Sequence, residues 1–372
     1  MNPFNYVNTA RIVFGAGAVR DAGLEVKALG CGRALVVTDR PLRERTDVCE
    51  RVATALGPRQ AGVFDGVLPD AVAEVVDRGT EVARQLGTDC LVSVGGGSAI
   101  DTAKGIALCL ALGGGIRDHQ GTQILSRRAL AHVAIPTTAG TGSEVSVYAV
   151  IKDERSKQKL HYMDERLIPD VALLDPTLTL SLPPRLTAAT GFDALSHAVE
   201  AYTSRNTGPL SDAQALHAAR LIARSLVRAV ERGDDLDARA DMLVAANLAG
   251  AAMSNAGVGL AHAVAHALGA GHGVHHGTAN ALMLSHVVRF NAEVVGARYQ
   301  ELADAMGAAD TGQACAELLA RCGLPTRLRD VGVAEADLGP LAEAAVADAA
   351  MPYNARFAGD PDLVRGVLEA AW

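Results

Sequence analysis

Six short apolar segments of strand length, separated by helical patterns, occupy the first half of this chain. They begin at Ala10 (ARIVFG), Arg33 (RALVVTD), Ala61 (AGVFDGV), Cys90 (CLVSVGGGS), His132 (HVAIPTTAG) and Val171 (VALLDP). Strand-type runs that alternate with helices are typical of a parallel sheet whose two faces are both covered. The first half is therefore predicted to form a mostly parallel α/β domain.

The pattern changes after the proline pair Pro183-Pro184. From about Leu186 onward the sequence is rich in Ala and Leu at i, i+3, i+4 spacing, and it shows almost no strand signal. A length of 372 residues with 49% hydrophobic residues suits two domains. We predict an α/β nucleotide-binding domain at residues 1–182 and an all-helical domain at residues 183–372.

Charge and composition exclude several classes of partner. The formal net charge is −8 and there is no long basic run, so we expect neither nucleic acid nor an anionic membrane as partner. No apolar stretch approaches the length of a transmembrane span, and the first residues do not resemble a signal peptide. The six cysteines are scattered without a CxxC motif. Reduced thiols and a cytoplasmic location are therefore expected.

Histidines and one carboxylate suggest a metal site in the second half. Asp193 and His197 in GFDALSHAVEAY have i, i+4 spacing, which places both side chains on one face of a helix. Five of the eleven histidines then fall within fifteen residues, at positions 262, 266, 272, 275 and 276. One carboxylate with several imidazoles suits Fe²⁺, Zn²⁺, Co²⁺ or Ni²⁺ better than Mg²⁺ or Ca²⁺. Spacing alone does not decide which histidines bind, and any one of them could instead be an ordinary hydrogen-bonded residue.

Two small-residue loops in the first half suggest a nucleotide. Gly95-Gly96-Gly97-Ser98 follows the strand LVSV and opens a helix, where backbone amides and the helix N-terminus can hold a pyrophosphate. The turn is not GxGxxG, and a plain βα turn is the alternative. The second loop is PTTAGTGSE, rich in hydroxyl groups. Asp39 ends its strand, where a carboxylate can bind a ribose and disfavour a 2′-phosphate, or can simply form a turn.

These motifs together resemble the iron-containing (group III) alcohol dehydrogenase family along nearly the whole chain. The matching segments are GGGSAIDTAK, PTTAGTGSEVS, PDVALLDP, TGFDALSHAVEAYTS and GLAHAVAHALGAGHGVHHGTANALMLSHVVRFN. The resemblance implies a dehydroquinate synthase-like fold with an N-terminal NAD-binding domain and a helical metal-binding domain. It also implies hydride transfer between NAD(H) and a small alcohol or aldehyde, with an active site in the cleft and a homodimer or larger assembly.

The resemblance also implies roles for individual residues. It assigns Fe²⁺ or Zn²⁺ to Asp193, His197, His262 and His276. It places His266 beside the substrate as a proton-moving residue, although HxxxH spacing by itself would suggest a second ligand. The residues implied to contact NAD are Asp39, Gly97, Ser98, Thr138, Thr141 and Lys159, with Asp101 in the same motif. His272 and His275 are expected to be bystanders or to line the pocket.

Several positions depart from the usual family pattern. Ala267 stands where proline is common after the second histidine of HxxxH, and Met253, Tyr148 and Asp70 also differ. These changes leave the metal set intact but alter the expected walls of the substrate pocket.

Other functions remain as alternatives. They are a maleylacetate reductase-like or glycerol dehydrogenase-like oxidoreductase, a lyase of the same fold, and a non-enzymatic metal-storing or nucleotide-sensing protein. A phosphorylated substrate would require Lys or Arg near the metal, and HAVAHALGAGHGVHHG contains neither.

Overall fold

The structure is a computed structural model that describes residues 3–156 and 158–372, so Met1, Asn2 and Lys157 lie outside the description. Within these ranges the chain forms nine β-strands and fourteen α-helices. The strands are β1 (Arg11–Phe14), β2 (Ala34–Asp39), β3 (Gln60–Val67), β4 (Cys90–Gly95), β5 (Gly121–Thr122), β6 (Ala131–Pro136), β7 (Tyr148–Asp153), β8 (Gln158–Met163) and β9 (Val171–Leu174). The helices are α1 (Ala22–Ala28), α2 (Arg40–Arg45), α3 (Val48–Leu56), α4 (Ala73–Leu86), α5 (Gly97–Leu112), α6 (Pro184–Thr203), α7 (Pro209–Glu231), α8 (Leu236–Ala256), α9 (Leu260–His272), α10 (His276–Val295), α11 (Ala297–Met306), α12 (Thr311–Arg321), α13 (Leu338–Val346) and α14 (Pro361–Ala371).

The chain divides into two units. The sheet unit comprises Val7–Thr138 and Gly142–Ser181, and it contains all nine strands. The helical unit comprises Leu182–Trp372 together with Ala139–Thr141 and the segment ending at Tyr6. The predicted fold class, an α/β domain followed by a helical domain, is confirmed.

A six-stranded parallel sheet forms the centre of the sheet unit, in the order β1-β9-β6-β4-β2-β3. Its strands are the six predicted from the sequence. The central strands β2, β4, β6 and β9 are buried along nearly their whole length, whereas the edge strands β1 and β3 are partly exposed. Continuous apolar runs form these central strands because helices cover both faces of a parallel sheet.

A smaller sheet in the same unit was not predicted. It has the order β5-β8-β7, and β7 and β8 pair as antiparallel strands. In β7 buried and half-buried residues alternate, as expected for a strand with one covered face. The sequence YAVIKD carries two charged residues, and this weakens the apolar signal on which the strand prediction rested.

Close packing of α6 against its neighbours shapes the helical unit. A Cβ atom on Gly191 of α6 would lie 2.3 Å from Leu226 Cδ1 of α7. A Cβ atom on Gly277, the second residue of α10, would lie 2.2 Å from the backbone oxygen of Ala189. The start of α10 can therefore reach the α6 backbone only because residue 277 has no side chain.

In the two described ranges, no individual helix has both the length and the apolar content needed to cross a membrane. Helices α8 and α9 meet the criterion only as a pair, with a bend of 101° at the break between them.

We expect Gly277→Ala to destabilise the protein by about 1–3 kcal/mol, because the added methyl group collides with backbone that cannot rotate away. Thermal unfolding followed by circular dichroism measures this effect. Gly271→Ala in α9 is the matched control, since its Cβ atom would meet nothing within 4 Å. Equal melting temperatures for Gly277→Ala and the wild type would contradict the close approach.

Candidate metal centre and nucleotide-binding turn

Helix α6 carries Asp193 and His197 on one face, as the i, i+4 spacing predicts. Both side chains are almost completely buried in the helical unit. A carboxylate and an imidazole in such surroundings lose their contacts with water and need polar partners. Residues from α9 and α10 surround Asp193.

His262 of α9 and His276, the first residue of α10, direct their Nε2 atoms toward Asp193. The distances to Asp193 Oδ1 are 3.8 Å from His262 Nε2 and 3.4 Å from His276 Nε2. One ligand atom from each of these three residues lies within 4.8 Å of the others, the arrangement of a potential metal site. Metal–ligand bonds of about 2.0–2.2 Å would fit between atoms at these separations.

His197 lies next to this cluster but is not one of its three members. Its ring stacks on that of His262, with 4.6 Å between the centroids and 21° between the planes. His197 Nδ1 is buried and has no hydrogen-bond partner in the described part of the chain. A buried imidazole nitrogen without a partner beside a carboxylate and two imidazoles is consistent with a site that holds a cation.

The protonation state of His262 also suits a metal ligand. Burial and the neighbouring charge of His197 hold the pKa of His262 well below its usual value. The imidazole is therefore neutral, which is the form that binds a metal ion. Carboxylate and imidazole donors together match Fe²⁺ or Zn²⁺, so the residues present fit the implied metal.

Asn280 lies one helical turn after His276 and contacts all three members of the cluster. Its Nδ2 donates to Asp193 Oδ1 at 2.8 Å and lies 3.2 Å from His262 Nε2 and 3.3 Å from His276 Nε2. The side chain is fully buried. Sequence reasoning missed Asn280, although its i+4 spacing from His276 placed it on the same helix face.

Glu200 is a second residue that sequence reasoning missed, and it contacts the Nδ1 side of the His262 ring. Its Oε2 accepts from His262 Nδ1 at 2.6 Å, and its Oε1 accepts from the backbone N–H of Ala261 at 2.7 Å. Burial raises the pKa of Glu200 to about 7, and backbone hydrogen bonds offset part of that rise. Glu200 follows Asp193 by seven residues, two helical turns, and this spacing was the available signal.

The other three histidines have different surroundings. His266 Nδ1 lies 2.9 Å from Asp348 Oδ2, and the ring stacks on His276 with 5.5 Å between the centroids. His272 Nε2 lies 3.1 Å from Asp337 Oδ2, and His275 is exposed at the N-cap of α10. Asp348 was also missed, because it is 82 residues away from His266 in the chain.

In the sheet unit, Asp39 and the glycine turn lie at the same edge of the parallel sheet. Asp39 ends β2 and Gly95 ends β4, and these strands are neighbours. A Cβ atom on Gly95 would lie 3.7 Å from Asp39 Oδ2, and one on Gly96 would lie 3.1 Å from Thr138 Oγ1. The chain leaves β2 toward β3 and leaves β4 toward β6, in opposite directions. Nucleotides bind at such a switch point in open parallel sheets.

Helix α5 starts directly at this turn. Gly97 is its first residue, and no side chain caps its N-terminus. Its first backbone N–H groups can therefore bind an anionic group. Ser98, the second residue, accepts a hydrogen bond at Oγ from the backbone N–H of Asp70 at 3.1 Å. Asp70 has a φ of 65°, a left-handed conformation that Asp tolerates better than most residues.

Two charged residues of α5, buried Lys104 and half-buried Asp101, bind the segment that follows the hydroxyl-rich loop. Lys104 Nζ donates to the backbone oxygens of Ser146 at 2.8 Å and Tyr148 at 2.6 Å. Burial lowers the pKa of Lys104 to about 8. Asp101 Oδ2 accepts from the backbone N–H of Val150 at 3.0 Å.

The last two candidate NAD contacts lie apart from this turn in the sequence. Lys159 is half-buried on β8, opposite Lys152 of β7. Thr141 belongs to the helical unit.

Comparison with known proteins identifies the family. Residues 9–176 match the family described as iron-containing alcohol dehydrogenase, and residues 187–372 match the C-terminal part of the Fe-containing alcohol dehydrogenase family. The chain belongs to the iron-containing alcohol dehydrogenase family, as the sequence motifs predicted.

Individual relatives match over almost the full length. The chain is 38% identical to the NAD-dependent methanol dehydrogenase of Bacillus methanolicus, covering 96% of this chain and 97% of that protein. It is 40% identical to the 1,3-propanediol dehydrogenase of Citrobacter freundii, covering 97% of each. The solved structure of an alcohol dehydrogenase from Oenococcus oeni superposes with a TM-score of 0.96 at 33% identity, covering 100% of both chains.

Proposed function

We propose that this protein is a metal-dependent oxidoreductase that transfers a hydride between NAD(H) and a small alcohol or aldehyde. The observation that carries this proposal is the cluster of buried Asp193 and His262 with half-buried His276 in a member of the iron-containing alcohol dehydrogenase family. The printed names of the relatives, a methanol dehydrogenase and a 1,3-propanediol dehydrogenase, support small alcohols as substrates.

The cluster, with His197 as the fourth ligand, would hold Fe²⁺ or Zn²⁺. A cation bound there supplies a Lewis acid for a hydroxyl or carbonyl oxygen. Asp193 contributes the one anionic donor, and the neutral imidazoles contribute lone pairs without further charge. The protein itself fixes the donors on three helices, so little reorganisation is needed on binding.

NAD would bind at the carboxyl edge of the parallel sheet and supply the hydride acceptor. Its pyrophosphate would lie against the N-terminus of α5, where the backbone N–H groups of Gly97 and Ser98 face an anion. Asp39 would accept hydrogen bonds from the adenosine ribose. Thr138, Thr141 and Lys159 would complete the contacts.

His266 would move the proton of the substrate hydroxyl group. Asp348 accepts from Nδ1 of this histidine, which keeps the hydrogen on Nδ1 and leaves Nε2 to exchange a proton. Because the ring stacks on His276, His266 lies beside the cluster without belonging to it.

Neutral substrates suit the site better than anionic ones. The segment 262–277 supplies no Lys or Arg, and Asp348 adds a carboxylate near His266. The lack of Lys and Arg in this segment argues against the maleylacetate reductase-like alternative, whose substrate is anionic. It also argues against a lyase that acts on a phosphorylated substrate.

We further propose that residues 1–182 form the NAD-binding domain and residues 183–372 the metal-binding domain. The cysteines are all free thiols, and this supports a cytoplasmic location. A homodimer or larger assembly is supported by β1, an edge strand that exposes Ile12 and Phe14.

We expect His276→Ala to lower the affinity for Zn²⁺ or Fe²⁺ by more than about 100-fold, because loss of a ligand costs more than loss of an outer-sphere contact. Metal content after dialysis and NADH-linked turnover on a panel of small alcohols and aldehydes measure the effect. His275→Ala, which removes the exposed neighbouring imidazole, is the control and should behave like the wild type. Full metal occupancy and turnover in His276→Ala would contradict the proposal.

We expect Asp39→Asn to raise the ratio of NADP to NAD utilisation by about tenfold, equivalent to ~1.4 kcal/mol. Asparagine retains the capping hydrogen bond from Leu42 N to residue 39 but removes the charge that repels a 2′-phosphate. Steady-state kcat/KM for both cofactors is the measurement. Asp89→Asn makes the same charge change just before β4, at the opposite edge of the sheet, and should leave the ratio unchanged. An unchanged ratio in Asp39→Asn would show that Asp39 does not face the ribose.

A further inference from the structure

The N-terminus of α9 is capped by side chains that are distant in the sequence. Gly259 precedes the helix and offers no side chain to accept its first N–H groups. Instead, Leu260 N donates to Asn354 Oδ1 at 3.2 Å, and Ala261 N donates to Glu200 Oε1 at 2.7 Å. His262 N also lies 3.4 Å from Glu200 Oε2. A carboxylate in this position satisfies orphan donors and interacts favourably with the helix dipole.

The same carboxylate fixes the ring of His262. Glu200 Oε2 lies 2.6 Å from His262 Nδ1, and both side chains are buried. When Glu200 is ionised its carboxylate only accepts hydrogen bonds, so Nδ1 carries the hydrogen and Nε2 retains its lone pair. Nε2 is the nitrogen that faces Asp193 and Asn280. One side chain therefore sets both the tautomer of His262 and the position of its backbone.

Two sequence features make this contact possible. Glu200 and Asp193 lie two turns apart on α6, so one helix presents a cluster carboxylate and the carboxylate behind His262. A Cβ atom on Gly259 would lie 3.2 Å from Glu200 Oε1 and 2.7 Å from Asn354 Oδ1. The glycine leaves room for both caps to reach the helix.

We propose that Glu200 is the positioning residue of the metal centre, holding His262 in the tautomer and orientation that a metal ligand requires. This inference rests on the proposed metal site. The hydrogen bonds of Glu200 go to the first turn of α9 and to the ring of His262, so we expect it to act through His262. Carboxylates that accept from the second nitrogen of a metal-binding histidine typically change metal affinity by 10–100-fold when removed.

Glu200→Gln tests this role with an almost unchanged shape. In the amide only one of the two terminal positions is an oxygen, so an acceptor cannot face both Ala261 N–H, now at Oε1, and His262 Nδ1–H, now at Oε2. If the NH₂ group faces His262, Nδ1 must become an acceptor and the hydrogen moves to Nε2, where it blocks metal binding. Zn²⁺ affinity, measured by chelator competition on the full-length protein, should fall by about 10–100-fold in Glu200→Gln.

A spectroscopic measurement reports the tautomer directly. In metal-free protein labelled with ¹⁵N-histidine, the ring of His262 should show a protonated Nδ1 and an unprotonated Nε2. The signal is assigned by its loss in His262→Gln. In Glu200→Gln a protonated Nε2 should appear. A purely structural role for Glu200 would leave the tautomer unchanged.

Asn354→Ala is the matched control. It removes the other cap of the same helix N-terminus but does not touch the ring of His262. It should lower the melting temperature while leaving Zn²⁺ affinity near that of the wild type. If Asn354→Ala weakens Zn²⁺ binding as much as Glu200→Gln does, the effect is helix capping and the proposal is wrong. Wild-type Zn²⁺ affinity with an unchanged tautomer in Glu200→Gln also overturns it.

Zn²⁺ binding by the wild type, His276→Ala and Glu200→Gln distinguishes a wrong metal site from a wrong role for Glu200. If the wild-type protein binds no Zn²⁺, or binds it as tightly after His276→Ala, the metal site itself is wrong. If His276→Ala abolishes binding and Glu200→Gln does not weaken it, the metal site stands and only the role of Glu200 fails.

Discussion

The buried carboxylate of Glu200 links α6 to the first turn of α9 and to the ring of His262, and the histidine cluster depends on this link. Burying a charged carboxylate costs several kcal/mol, and the cost is recovered only where donors surround it. Glu200 receives hydrogen bonds from the backbone of Ala261 and from the ring of His262. Its pKa of about 7 reflects the balance between burial, which favours the neutral acid, and these donors, which favour the anion.

The cluster is built on helix faces, whereas Asp39 and the glycine turn lie at the carboxyl ends of strands. Asp193, His197 and Glu200 share one face of α6, and Gly277 lets the first turn of α10 approach the α6 backbone closely. Helix faces restrict side-chain positions and suit a metal with fixed geometry. At the carboxyl edge of the sheet, the turn after β4 instead presents backbone N–H groups, which suit a phosphate.

Most of the fold could be predicted because its signals are local. The six strands of the parallel sheet are continuous apolar runs, and the i, i+4 spacing of Asp193 and His197 follows from helix geometry alone. The hairpin of β7 and β8 was missed because charged residues interrupt its short alternating pattern.

The site could be predicted only in part, because its decisive contacts join residues far apart in the chain. Spacing could not separate the five clustered histidines, and the family resemblance was needed to propose ligands. Glu200 contacts His262 across 62 residues, and Asp348 contacts His266 across 82 residues. Only folding brings such pairs together, and no local pattern records them.

The most direct test is anomalous X-ray diffraction from crystals of the Zn²⁺- or Fe²⁺-loaded protein. We expect one strong anomalous peak within about 2.0–2.2 Å of Asp193 Oδ1 and of Nε2 of His262 and His276. His197 should complete the coordination, and His262 Nδ1 should remain hydrogen-bonded to Glu200. A peak at other residues would show that these side chains do not form the metal site, and coordination through His262 Nδ1 would show that Glu200 does not position the ring.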